Sequence, residues 1–121
     1  MVKDNERRIH ELKEKIKEFC DARDWDQFHD AKELAIALSI EASELLEIFR
    51  WKTPAEVEAL FSNENKKEDI EDEMADVLYF LVRMAQMYEL DLSEALDRKM
   101  EKNEKKYPVD KFKGSSKKYN E

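Results

Sequence analysis

The 121-residue chain is 43% charged, with a net charge of −8, one glycine and two prolines. That balance excludes a sheet protein, which needs more turn residues, and a general nucleic-acid binder, which needs a basic stripe. A lone cysteine gives no disulfide framework, and no signal peptide or apolar run of membrane length is visible, so the expectation is a cytoplasmic all-α protein with a modest core.

Residues 4–23 read as a first amphipathic helix, with Ile9, Leu12, Ile16, Phe19 and Cys20 on one face. His10 falls on its polar side, and Cys20 reads as a small core residue. The segment Asp24 to His29 breaks the period and reads as a loop. Its Trp25, Phe28 and His29 either plug the helix ends or offer a stacking surface and a hydrogen-bonding group to a base. Spacing alone sets the plug ahead.

A second helix is expected over 31–50, apolar nearly all round, with Ile36 and Ile40 opposite the main stripe. Such a helix needs cover on several sides, which points to a homodimer or homotetramer. Trp51 stands where it stops, either an ordinary exposed aromatic or a ring to stack on a base. Thr53, Pro54 and Glu56 signal the start of a short helix ending near Phe61, and Ser62 to Asn65 read as a connection. A long helix over 66–89 follows. Asp91 and Glu94 then open another, which Pro108 halts. On it Lys99, Asn103 and Lys106 form one polar line, usually a solvated face but also a source of cations and an amide for phosphate oxygens. The fold class is an all-α bundle of four to five helices over 1–108, with an irregular, mobile basic tail over 109–121 able to close on phosphates.

Two acidic groups, Glu41-Ala-Ser-Glu44 and Glu73-Met-Ala-Asp76, interrupt these apolar helices. Acids at i and i+3 share a helix face, and Glu41 falls within the arc of Leu34, Ala37, Leu38, Leu45 and Ile48. Glu73 borders the stripe of Ile70, Met74, Val77, Leu78 and Leu81. Most such pairs in a chain this charged are solvated. Two on apolar helices, one inside its stripe, favour a site. Unpaired buried carboxylates are costly, so four together call for a cation, and oxygen ligands alone suit Mg²⁺. Glu47, three residues past Glu44, lies further round the helix.

These residues carry a family resemblance. Glu41-Ala-Ser-Glu44-Leu-Leu-Glu47-Ile-Phe-Arg-Trp51, Glu73-Met-Ala-Asp76-Val-Leu-Tyr-Phe80, Lys99-Met-Glu-Lys-Asn103-Glu-Lys-Lys-Tyr107-Pro108 and Ser115-Ser-Lys-Lys-Tyr119 stand in one order from about Asp24 onward. The chain thereby resembles the MazG-like all-α nucleoside triphosphate pyrophosphohydrolases, and within them the dCTP pyrophosphatase branch. The resemblance implies Mg²⁺ on Glu41, Glu44, Glu73 and Asp76, and a base surrounded by the Trp25 to His29 loop, Trp51 and Phe80. It also implies phosphates met by Lys99, Asn103 and Tyr107. Phe80 stands where that branch often has Tyr. His29-Asp30-Ala31-Lys32-Glu33 departs from a commoner His-x-Pro-Lys/Arg-Asn pattern, with an acid at Glu33 in place of the amide. The implied reaction is cleavage between the α- and β-phosphates of a dCTP-like nucleotide in pool house-cleaning, with Glu44 or Glu47 orienting the attacking water. Alternatives are a non-catalytic helical oligomer serving as an interaction module and, less favoured, a di-iron bundle. The latter wants Glu-x-x-His pairs, which neither His10 nor His29 completes.

Overall fold

A computed structural model describes all 121 residues. The chain is helical throughout and falls into two compact units, Met1–Glu89 and Leu90–Glu121. The first holds α1 (Ile9–Asp21), α2 (Ala31–Phe49), α3 (Pro54–Leu60) and α4 (Glu64–Met87); the second holds α5 (Leu92–Lys106) and the four-residue α6 (Val109–Phe112). The boundary after Glu89 is one that the sequence reading does not mark. No helix is long and apolar enough to cross a membrane.

Within the first unit, α4 packs on α2 and on α1. Cys20, Leu34, Ile70, Val82 and Ala85 are buried, one residue each from α1 and α2 and three from α4. Cys20 takes its expected core position, its Sγ 3.2 Å from the hydroxyl of Tyr79. The interior is small for so many apolar side chains. Ile36, Ile40 and Leu46 of α2 remain exposed, as do Met74, Leu78 and Leu81 of α4.

Local signals set most helix starts. Thr53 caps α3 and Glu56 returns to the Thr53 N–H at 3.1 Å, so the expected capping box is formed. Asp30 caps α2, and the first N–H of that helix, from Ala31, donates to the Tyr88 hydroxyl at 2.8 Å. Asp91 caps α5 as expected.

Three expectations need correction. The first helix does not begin at residue 4: Asp4–Glu6 form a 3-10 turn and Arg8 is extended. Residues 4–8 have no apolar side chain to anchor a helix, and the Arg8 N–H is taken by Glu11 Oε1 at 3.1 Å, which starts α1 at Ile9. The long helix expected from Lys66 starts at Glu64, because Asn63 accepts from the Lys66 N–H at 3.0 Å and acts as its cap. The segment after Pro108 is not wholly irregular, since it contains α6 and the Tyr107 ring meets Phe112 and Tyr119 edge-on, at 5.0 and 6.1 Å.

Candidate metal centre

Helix packing decides whether acids on two helices meet, and α2 and α4 are packed together. One carboxylate oxygen from each of Glu41, Glu73 and Asp76 lies within 4.8 Å of the others. Asp76 is exposed, whereas Glu41 Oε2 and Glu73 Oε2 are buried and have no hydrogen-bond partner. None of the three forms an ion pair with a Lys, Arg or His side chain.

Like charge collected in a partly dry place resists ionisation. Burial, then the neighbouring Glu44 carboxylate, then Asp76 and Glu73, push the Glu41 carboxyl up to about 7. Burial and Glu44 push Glu73 in the same direction. The donor set is oxygen only, and two of its oxygens lack any proton donor or cation within the chain. That is the chemistry of a site for a hard divalent ion such as Mg²⁺.

Of the four acids expected together, the trio omits Glu44. It is exposed on an open stretch of the α2 surface with Ser39, Ile40, Ser43 and Glu47, its carboxylate beside those of Glu41 and Glu73. Glu47 is also exposed, 3.3 Å from Arg50. Trp51 is 86% exposed and has φ 64, a left-handed backbone that a bulky side chain rarely adopts. The Arg50 guanidinium lies 4.7 Å from its ring. Phe80 is half-buried against Tyr79, with ring centroids 4.9 Å apart.

The loop residues have partners of their own. Trp25 meets Phe19 at 5.5 Å and His29 at 6.2 Å, both edge-on, while Phe28 is exposed. Asp26–Phe28 form a 3-10 turn entered through Asp24 at φ 54. His29 Nδ1 accepts from Arg83 Nε at 3.0 Å. Burial, then the Arg83 charge, hold the His29 imidazole below its ordinary pKa. In the second unit Lys99 and Lys106 are exposed and Asn103 is half-buried. The Lys106 ammonium lies 4.8 Å from the Tyr119 ring, and Tyr107 is the hub of the aromatic cluster there.

Arg83 is the residue that the sequence reading passes over. It is the one buried charged side chain. Its signal is visible in retrospect, as the sole charge in the apolar run from Val77 to Ala85.

Comparison with known proteins accords with this geometry. The MazG-like family matches residues 36–121. The dCTP pyrophosphatase 1 of Rattus norvegicus is 39% identical over 102 residues, 84% of this chain and 60% of that protein. The Homo sapiens protein of that name is 38% identical over 104 residues, 86% of this chain and 61% of that one. The chain thus spans about three-fifths of the length of the curated relatives it matches. A solved pyrophosphatase from Archaeoglobus fulgidus superposes with a TM-score of 0.78 at 40% identity, covering 89% of this chain and 99% of that one. With 86 of its 121 residues matched and both acidic groups inside the match, the chain belongs to the MazG-like family.

Proposed function

We propose that this protein is a Mg²⁺-dependent nucleoside triphosphate pyrophosphohydrolase that takes a dCTP-like nucleotide and releases the monophosphate and pyrophosphate. One observation carries the reading: Glu41, Glu73 and Asp76 converge with two buried carboxylate oxygens left without a partner. The names of the relatives supply the substrate class.

Glu41, Glu73 and Asp76 would hold the ion, with Glu44 completing the set from the next turn of α2. When bound, such an ion neutralises phosphate charge and lowers the pKa of a water molecule. Glu44 or Glu47, exposed on the same stretch of α2, is assigned to orient that water or take its proton. Water oxygen bonds to the α-phosphorus, the bond to the β-bridging oxygen breaks, and pyrophosphate leaves with that electron pair. Lys99, Asn103, Lys106 and Tyr107 are assigned to the phosphates, and Trp25, Phe28, His29, Trp51 and Phe80 to the base. Exposed Ile36, Ile40 and Leu46 support assembly as a homodimer or homotetramer. The lone buried Cys20 suits the cytoplasm, where house-cleaning of nucleotide pools takes place.

Incubation with a panel of nucleoside triphosphates and Mg²⁺, followed by product identification, tests the reaction. Monophosphate and pyrophosphate are expected; inorganic phosphate as the first product would place cleavage at the γ position and overturn the reading. Trp51 gives a separate check. Its exposed ring contributes little to folding, so Trp51→Ala should leave the melting temperature unchanged. It should weaken nucleotide binding by roughly 1–3 kcal/mol, the scale of a base–aromatic stack. Unchanged affinity by calorimetry would remove Trp51 from the site.

A further inference from the structure

Arg83 is 1% exposed, and a buried guanidinium is costly unless its donors are met. All three of its nitrogens are. Nη2 binds Asp26 Oδ1, Nη1 binds Gln86 Oε1, and Nε donates to His29 Nδ1 at 3.0 Å. Asp26 and His29 belong to the loop between α1 and α2, so one side chain of α4 pins both ends of its 3-10 turn.

The chemical consequence falls on His29. A guanidinium has only donors and stays charged at any accessible pH. The nitrogen facing it must therefore be an acceptor. A proton on Nδ1 would set donor against donor and cation against cation. The remaining ring nitrogen, Nε2, must carry the hydrogen. Free histidine exchanges between two neutral tautomers and the imidazolium; here only one form fits.

We propose that Arg83 is a positioning residue that holds His29 as the Nε2–H tautomer, making it a fixed hydrogen-bond donor to an acceptor atom on the base of the bound nucleotide. The charged groups facing His29 are Arg83 from α4 and Asp26 from its own loop. Trp25 lies edge-on to its ring and supplies an aromatic neighbour for that base. Lysine at 83 would not serve, since a single ammonium lacks the three-way fork. The tautomer stands on the structure alone. Its use rests on the nucleotide reading of the site.

The test has two arms. Long-range ¹H–¹⁵N spectra of the wild-type protein should show His29 with Nδ1 bare and Nε2 protonated at neutral pH, and Arg83→Gln should yield mixed tautomers. A wild-type His29 protonated on Nδ1, or on both nitrogens, overturns the proposal without need of any variant. In steady-state kinetics with dCTP, Arg83→Gln and His29→Ala should each raise KM about 3- to 10-fold, the range for one hydrogen bond, with kcat little changed. The double variant should be no worse than either single one. His29→Gln, whose amide keeps an N–H donor, should restore KM and be indifferent to Arg83→Gln. Additive effects, or a KM unmoved by His29→Ala in an active enzyme, overturn this proposal alone. A wild-type protein that turns over no nucleotide defeats the enzymatic reading, and the base contact with it.

Discussion

Replacing Glu41 by glutamine is expected to lower pyrophosphate release by at least about 100-fold while leaving the fold intact. Outer partners of metal ligands cost roughly 10- to 100-fold on removal, and a direct ligand should cost more. Glutamine keeps the shape of the side chain but offers a neutral amide in place of a carboxylate. Stability should hold or rise, because the substitution removes a charge that Glu44, Asp76 and Glu73 all oppose. Asp76→Asn should match it in activity. The pair of changes should be far from additive, since either alone empties the same site. The measurement is pyrophosphate release in saturating Mg²⁺ beside a thermal melt. Full activity in both variants would remove the metal assignment.

The second large effect is on stability against pH. Glu41 has a folded pKa of about 7 against an ordinary 4.5. Below about 4.5 it is protonated in both the folded and unfolded states, and its contribution to stability is fully present. As the pH climbs from 4.5 through 7, the unfolded chain gives up its proton first, and stability is lost. The loss from Glu41 is on the order of 2 kcal/mol after allowance for solvent screening. Glu73, raised in the same direction, steepens it. Melts of the metal-free protein should therefore decline across that window, and Glu41→Gln should flatten the decline. Adding Mg²⁺ at about pH 8 should raise the wild-type melting temperature and leave the Glu41→Gln variant nearly unmoved, by mass action on the folded state. A wild-type curve that is level with pH and indifferent to Mg²⁺ would show the three carboxylates to be well hydrated.

Both effects trace to acids visible in the sequence, three of which bring an oxygen each within 4.8 Å of one another. Spacing at i and i+3 puts Glu41 with Glu44, and Glu73 with Asp76, on shared faces. It does not say how deep each side chain sits. Packing of α4 on α2 brings those oxygens of Glu41, Glu73 and Asp76 together, with the Glu44 carboxylate beside Glu41 and Glu73 on the more exposed side. The burial of Arg83 was hidden for a similar reason. A lone basic residue in a helical run looks like a solvated side chain until a distant loop, through Asp26 and His29, closes over it.

By itself, the amino-acid order determined the all-helical class, the capped starts of α3 and α5, the place of Cys20 and the identity of the acidic groups. These depend on period, caps and composition, which act over a few residues. Tertiary structure alone decided which carboxylates share a space, which tautomer His29 adopts and where the compact units divide. Each of those depends on which parts of the chain, far apart in sequence, are brought together, and only the packing of whole helices sets that.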